Sequence, residues 1–168
     1  MRMDRLELIR MKADKIMSKL ANEETRKFAY LHSYGVSQCA IYLSIVRGLD
    51  IELAGIAGML HDIAIYAENC AHKVHAERSA LLAKSILSET EEFDEEEIIA
   101  ITNAIATHSD KLTRTDSRFA EMLKDADVLQ HYLYNPNIPL QDREKYRLFY
   151  LLEDLKKLHE RHDQKNGE

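Results

Sequence analysis

The chain has 168 residues, of which 45% are hydrophobic and 31% are charged, and its formal net charge at pH 7 is −6. This size and composition are typical of one globular domain. The negative charge does not favour long nucleic acid as a partner, because phosphate backbones bind to basic surfaces. Only five glycines and two prolines are present, which favours long helices over a many-stranded β fold.

Neither a membrane span nor a signal peptide is predicted. No apolar run approaches the length that a bilayer requires, and charged residues interrupt the N-terminal segment. The two cysteines, Cys39 and Cys70, form no CxxC pair. We therefore expect a cytoplasmic protein with reduced thiols and no contact with membranes.

Two amphipathic helices are predicted in the first 50 residues. Apolar residues recur at helical spacing over residues 4–20, with charged residues between them. Asn22 is the predicted N-cap of a second helix, which we expect to break or bend near residues 33–35 and to end at Gly48. His32 lies on the apolar stripe of this helix and should therefore point into the core.

A short apolar helix is predicted next, from Ile51 to Asp62, with Asp50 as its N-cap. Its two glycines predict a close approach to neighbouring helices, because glycine inside a helix is otherwise unfavourable. The helix ends in the adjacent pair His61 and Asp62. A buried carboxylate is costly unless it is paired or bound to a metal, so this pair needs partners. Residues 63–73 are predicted to form a loop or a short irregular segment.

Two further helices each carry a histidine on their apolar side. One is predicted from Val74 to Leu87 and carries His75. The other begins at a capping box formed by Asp94 and Glu97 and carries His108 near its end.

The helices predicted after residue 116 contain no strand pattern, so the whole chain is predicted to be all-α. Asp116 is the expected N-cap of a helix that ends at Asn135. Asp125 and Asp127 flank its apolar side, and periodicity alone does not choose between them. We predict a single domain over residues 1–168, with about six or seven helices and a motif-bearing core over residues 28–134. The terminal helices, over residues 4–20 and 140–160, are expected to pack on this core.

Histidines and aspartates from five predicted helices would meet inside this bundle. The set consists of His32, His61 with Asp62, His75, His108, and either Asp125 or Asp127. One such histidine alone is more often a hydrogen-bonded core residue than a ligand. Together they would be costly to desolvate, and a divalent cation would satisfy them all. Mixed imidazole and carboxylate ligands favour Fe, Mn, Co or Zn, and Mg is compatible with them.

The order of these residues resembles the HD-domain metal-dependent phosphohydrolases. The resemblance covers about residues 32–133 and rests on the segments His32-Ser33-x-x-Val36, Gly58-Met59-Leu60-His61-Asp62-Ile63 and Ala126-Asp127-x-Leu129. The Ala-Asp-x-Leu pattern of the family favours Asp127 over Asp125. His75 in HAERSA and His108 in AIATHS match the extra histidines of the two-metal branch, which includes hydrolases of dinucleoside polyphosphates and of cyclic nucleotides.

The resemblance implies an HD-like bundle around one or two divalent ions. By this resemblance, the first ion would be held by His32, His61, Asp62 and Asp127. His75 and His108 would hold the second, with Asp62 between the two.

One position departs from the family pattern. Many members carry a lysine, interpreted as a phosphate contact, three residues after the aspartate of the His-Asp pair, where this chain has Ile65. Lys111, three residues after His108, is the first candidate to replace it. The predicted catalytic residues are therefore His61, Asp62 and Lys111. Of the remaining histidines, His72 is expected near the mouth of the site, and the following are expected at the surface: His131, His159 and His162.

The resemblance implies hydrolysis of a small nucleotide or phosphomonoester by metal-activated water. No serine or cysteine nucleophile stands out. Because Ile65 replaces the family lysine, a non-hydrolytic metal-binding module, either a ligand sensor or a di-iron oxygenase-like protein, is an alternative hypothesis. A helical interaction domain without metal is a third. The expected partner is a small phosphorylated substrate, and the sequence is compatible with a homodimer.

Overall fold

The structure, a computed structural model, describes the backbone of residues 4–166 and the side chains of residues 4–157. The described residues form eight helices and no strand, which confirms the predicted all-α class. The helices are α1 (Arg5–Met17), α2 (Glu23–Arg47), α3 (Ile51–Leu60), α4 (Ile63–Glu68), α5 (His75–Ser88), α6 (Glu95–Thr107), α7 (Arg118–Tyr134) and α8 (Asp142–Asn166). Seven of these have ten residues or more, and α4 has only six.

Most of the predicted helix boundaries are confirmed by hydrogen bonds at the caps. The side chains of Asn22 and Asp50 accept hydrogen bonds from the backbone three residues later, and Asp94 forms the predicted capping box with Glu97. The predicted cap at Asp116 is wrong by one residue. Ser117 is the N-cap of α7, since its hydroxyl accepts a hydrogen bond from the amide of Ala120 at 3.1 Å.

Two predicted interruptions of the helices are wrong. Helix α2 continues without a break through residues 33–35, because Gly35 serves close packing rather than a bend. A Cβ at Gly35 would lie 2.8 Å from the side chain of Gln130 on α7. Residues 63–73 are not all loop, because Ile63–Glu68 buries apolar side chains and forms α4.

Helices α2 and α3 form the most extensive helix pair of the bundle. A Cβ at Gly58 would lie 2.7 Å from the Cα of Ser37, so only glycine allows the two backbones to come this close. The hydroxyl of Ser37 also donates a hydrogen bond to the carbonyl oxygen of Gly55 at 2.8 Å. The predicted close approach at the glycines is confirmed, and it brings His32 on α2 next to the end of α3.

Around this pair, α5, α6 and α7 enclose the core, while α1 packs on α3 and α8 packs on α7. Helix α8 extends to Asn166, beyond the predicted end at residue 160. None of the helices described in residues 4–166 combines the length and the apolar character that crossing a membrane requires. The fold therefore directs side chains from α2, α3, α5, α6 and α7 towards one point inside the bundle.

Candidate metal centre

The first group of polar side chains at this point comes from α2, α3 and α7. The Nε2 atoms of His32 and His61 are 3.0 Å apart. The Oδ1 atom of Asp127 lies 3.5 Å from Nε2 of His32 and 3.9 Å from Nε2 of His61. All three residues are buried, and their ligand atoms lie close enough together to share one ion.

A second group lies beside the first and includes α5 and α6. The Nε2 atoms of His75 and His108 are 3.1 Å apart. They lie 3.2 and 3.3 Å from the Oδ1 atom of Asp62. The other oxygen of Asp62, Oδ2, faces the first group at 3.5 Å from Nε2 of His32 and 3.4 Å from Nε2 of His61. The two oxygens of one carboxylate therefore face two different groups of imidazoles.

Hydrogen bonds on the opposite ring nitrogens fix the orientation of all four imidazoles. Three of them, His61, His75 and His108, donate from Nδ1 to the carbonyl oxygen three residues earlier, at 2.8, 2.5 and 2.7 Å. The Nδ1 atom of His32 donates to the side-chain oxygen of Gln130 at 2.7 Å. In the neutral form of each ring, the outer nitrogen carries the hydrogen and the inner Nε2 keeps a lone pair for a ligand.

Two carboxylate oxygens inside the cluster are left without a hydrogen-bond partner among the described side chains. These are Oδ1 of Asp62 and Oδ1 of Asp127, and both are buried. A buried oxygen of an ionised carboxylate is costly unless it meets a cation. Lone pairs of several imidazoles also converge on the same space. The donor set of nitrogen and carboxylate oxygen therefore fits a divalent transition metal.

Burial and the neighbouring charges shift the pKa values of the cluster in different directions. Burial lowers the pKa of His61 to about 3, so this imidazole is neutral at physiological pH. Burial opposes ionisation of Asp62, but His61, His108 and His32 outweigh it and hold the pKa of the carboxyl well below its usual value. Burial also lowers the pKa of His32, but the hydrogen bond with Asp62 and the charge of Asp127 raise it by more.

Lys111, the predicted phosphate contact, lies at the edge of the first group but faces inwards. Its Nζ atom donates to Oδ2 of Asp127 at 2.5 Å and to the backbone oxygen of His108 at 2.7 Å. Burial opposes ionisation of Asp127, yet Lys111 and the histidines keep the pKa of that carboxyl far below its usual value. Lys111 thus neutralises the outer oxygen of Asp127 while Oδ1 still faces the histidines. Its proposed contact with phosphate stays a prediction.

The neighbouring aspartate on α7 faces the other way. Asp125 accepts hydrogen bonds from Arg147 at 2.8 Å and from Arg47 at 2.6 Å. Of the two aspartates that periodicity left open, the structure thus places Asp127 at the cluster, in agreement with the family pattern. Ile65, at the position of the family lysine, is partly buried and packs against the hydrophobic core.

His131 is a residue of this site that the sequence reasoning missed. It was expected at the surface, but only 36% of its side chain is exposed. Its Nε2 lies 3.6 Å from Oδ1 of Asp127, and its ring stacks on that of His32 with the centroids 5.1 Å apart. His131 follows Asp127 by four residues, and this spacing places both side chains on one face of a helix. The spacing is the sequence signal that could have revealed His131 as a site residue.

The other histidines outside the two groups give mixed outcomes. His72 is exposed, and its ring lies 5.4 Å from the ring of His75, in line with the expected position near the mouth. The side chains of His159 and His162 lie outside the described residues.

Comparison with known proteins gives a family and a fold. A model of the family described as "HD domain" matches residues 29–132, which is more than half of the chain. The crystal structure of a "predicted HD superfamily hydrolase" from an uncultured Thermotogales bacterium aligns with a TM-score of 0.58 and 20% sequence identity, covering 95% of this chain and 99% of that chain. None of the curated proteins that were searched matches the chain.

Proposed function

The chain belongs to the HD domain family, and from that premise we propose that it is a metal-dependent phosphohydrolase that acts on a small nucleotide or phosphomonoester. The observation that carries this proposal is the meeting of four inward imidazoles with two carboxylates that each leave a buried oxygen unpaired among the described residues. The similar fold of a protein described as a hydrolase supports the class of reaction.

The arrangement of Asp62 supports a centre for two ions, as in the two-metal branch of the family. His32, His61 and Asp127 would hold one ion, and His75 and His108 would hold the other. The distances from Asp62 Oδ2 to the first group and from Asp62 Oδ1 to the second are all between 3.2 and 3.5 Å. Asp62 could therefore serve both ions at once.

In the proposed hydrolysis, the metal and the residues of this chain would have separate roles. A divalent ion held here would lower the pKa of a coordinated water to about 7 and so provide hydroxide at neutral pH. The outer hydrogen bonds of the imidazoles keep their Nε2 atoms directed at the centre. Lys111 holds Asp127 with one oxygen facing inwards. Burial raises the pKa of Cys39 to about 11, so this thiol would not compete as a nucleophile.

The first experiment measures the metal content of the purified protein and its hydrolysis of a panel of nucleotides and phosphomonoesters with added Mn²⁺ or Co²⁺. We expect bound metal and hydrolysis of at least one substrate class. Asp62→Asn should lower this activity by at least about 100-fold, because loss of an outer partner of a metal ligand already costs 10- to 100-fold. Asp154→Asn, which changes an exposed carboxylate of α8, is the matched control.

A protein that binds no metal would contradict both the proposal and the metal centre itself. Retention of activity in Asp62→Asn or in His61→Ala would contradict the mechanism. His75→Ala tests the second ion separately. If two ions bind, this variant should lose about half of the bound metal, whereas a one-ion centre should keep its full content.

A non-hydrolytic metal-binding module is the second candidate function. Ile65 packs on the core where the family lysine would stand, and Lys111 is bound to Asp127 and His108. Both observations favour a site that binds a ligand without turning it over, as in a sensor or a di-iron oxygenase-like protein. Bound metal without hydrolysis of any substrate in the panel would support this function. An iron content with oxygen consumption would identify the oxygenase class.

A further inference from the structure

We propose that His131 is a further substrate-binding residue of the centre, which contacts an oxygen of the bound phosphoryl group, and that Glu144 on α8 positions it. The nature of the ligand rests on the proposed function, but the test below requires binding only and no turnover. None of the family motifs in the sequence includes either residue.

His131 lies where a substrate could reach it. The side chains of His32, His61 and His108 are no more than 3% exposed and that of His75 is 10% exposed, whereas that of His131 is 36% exposed. His131 is therefore at the solvent edge of the same cluster. A ligand that enters from solvent on this side would meet its ring before the buried imidazoles.

Glu144 fixes the direction of the His131 ring. Its Oε1 accepts a hydrogen bond from Nδ1 of His131 at 2.8 Å, and its Oε2 accepts one from the backbone amide of Gln141 at 3.0 Å. Glu144 is itself buried, so the carboxylate is held by α8 and cannot swing freely into solvent. With Nδ1 engaged, Nε2 of His131 points away from α8. A phosphoryl oxygen accepts hydrogen bonds, so the proposed contact needs a proton on Nε2 as well, and the carboxylate of Glu144 balances the charge of that imidazolium.

That other nitrogen points at the centre. Nε2 of His131 lies 3.6 Å from Oδ1 of Asp127, compared with 3.5 Å for Nε2 of His32 and 3.9 Å for Nε2 of His61. This Asp127 oxygen is the one left without a hydrogen-bond partner in the described part of the chain. His131 therefore faces the same space as the proposed ligands, and it is the most exposed of these imidazoles.

Ring stacking limits the freedom of the imidazole further. The planes of the His131 and His32 rings lie at 16° to each other, and Phe28 stacks on His32 at 10° with the centroids 5.4 Å apart. A ring that is both stacked and hydrogen-bonded is preorganised for contact with a ligand, since little conformational entropy is lost on binding.

The test measures the binding of inorganic phosphate to the metal-loaded protein by calorimetry, together with the metal content and the melting temperature. We expect His131→Ala to keep the metal content of the wild type and to weaken phosphate binding by about tenfold or more, which is the usual effect of losing a hydrogen bond to a charged group. His131→Gln, which keeps a polar side chain of similar reach, should fold and show a smaller loss.

A double-mutant cycle tests the role of Glu144. Glu144→Gln should weaken phosphate binding in the wild-type background but add little in the His131→Ala background, because a positioning residue acts only through the residue that it holds. The matched controls are Glu153→Gln, an exposed carboxylate of the same helix, and Leu133→Ala, an exposed side chain of α7. Both should bind phosphate like the wild type.

Three results would overturn the proposal. Loss of metal from His131→Ala or His131→Gln would make His131 a metal ligand. A lower melting temperature with unchanged phosphate affinity would leave it a purely structural link between α7 and α8. Absence of phosphate binding by the metal-loaded wild type would also exclude the contact. By contrast, a wild type that binds phosphate through His131 but hydrolyses nothing would contradict only the proposed hydrolase.

Discussion

Helix α7 carries two buried aspartates whose surroundings differ in one decisive respect. Asp125 meets Arg47 with one oxygen and Arg147 with the other. Asp127, two residues later on the opposite shoulder, meets Lys111 with one oxygen, while its other oxygen has no hydrogen-bond partner among the described residues. The chain therefore neutralises one carboxylate completely and the other only in part.

This difference distinguishes the ion-pair cluster around Asp125 from the proposed metal centre around Asp127. Around Asp125, guanidinium groups match the carboxylates in number, and Arg147 also bonds to Glu121 and to the backbone oxygen of Lys111. Around Asp127, the remaining neighbours are imidazoles whose outer nitrogens already donate to other acceptors. Burial of carboxylates is common to both sides, so burial alone does not indicate function. The unmatched oxygen supports the proposed metal centre, because a buried oxygen of an ionised carboxylate is costly without a cation.

Removal of Arg147 should have the largest effect on stability. Arg147→Met removes three hydrogen bonds at once, to Asp125, Glu121 and the backbone oxygen of Lys111, and leaves Asp125 with Arg47 as its only guanidinium partner among the described residues. We therefore expect the free energy of unfolding to fall by about 3–5 kcal/mol. The metal content should not change, since Arg147 contacts no proposed ligand side chain. Urea denaturation and metal analysis of the same preparation check both parts. A loss below about 1 kcal/mol, typical of a surface ion pair, would remove the distinction between the two sides of α7.

Added metal should stabilise the folded protein by binding at the Asp127 side of α7 and not at the Asp125 side. At a free Mn²⁺ concentration of 100 times its Kd, the free energy of unfolding should rise by about 2.7 kcal/mol, because the ion binds only the folded state. The rise should persist in Arg147→Met and become smaller in Asp127→Asn, which removes a ligand of only one of the two proposed ions. Thermal denaturation with and without Mn²⁺ measures it. An equal rise in Asp127→Asn would place the metal elsewhere.

Replacement of Lys111 should have an intermediate effect that depends on metal. Lys111→Met leaves both oxygens of Asp127 without a partner from the chain, so the metal-free protein should lose about 1–3 kcal/mol of stability. Bound metal should reduce this loss, since the ion can pair with the carboxylate instead. Denaturation of the variant with and without Mn²⁺ gives the comparison. A loss that is the same with and without metal would mean that Lys111 stabilises the fold independently of the centre.

The smallest expected effect is a pH dependence of stability that arises from Glu121, on the Asp125 side of α7. Burial opposes ionisation of Glu121, but hydrogen bonds from the Thr115 amide and from Arg147 lower its pKa below the usual value of 4.5. Its contribution to stability should therefore be present above pH 4.5 and be lost as the pH falls through the lowered pKa of the folded state. Glu121→Gln should flatten the decline of stability in this range, as followed by urea midpoints. An unchanged slope would show that other carboxyl groups govern the acid response.

The helical class and most of the helix caps were predictable from the sequence, because they depend on local rules. Asn22, Asp50 and Asp94 lie just before periodic apolar segments and accept hydrogen bonds from the first turn. The short α4 was not predictable, since six residues are too few for the periodicity to be recognised. The uninterrupted course of α2 at Gly35 depends on Gln130, which lies 95 residues away in the sequence.

Site residues that lie on apolar helix stripes were predictable from the sequence. Those whose positions depend on long-range contacts were not. Burial and orientation of His32, His61, His75 and His108 follow from their positions on the helices. The inward direction of Lys111 depends on its contact with Asp127, and the position of His131 depends on Glu144 from another helix. These are pairings of charged side chains across elements, for which the sequence carries no periodic signal.

The contact of Gly58 with Ser37 has a consequence for redesign. Because main chain rests on main chain at this point, the spacing between positions 32 and 61 does not depend on the side chains that fill the core. Exchange of a donor, for example His32→Cys, would therefore change the chemical softness of the centre without altering the spacing of the two backbones. Such an exchange should shift selectivity towards thiophilic ions, which makes the helix pair a ready scaffold for artificial metalloproteins.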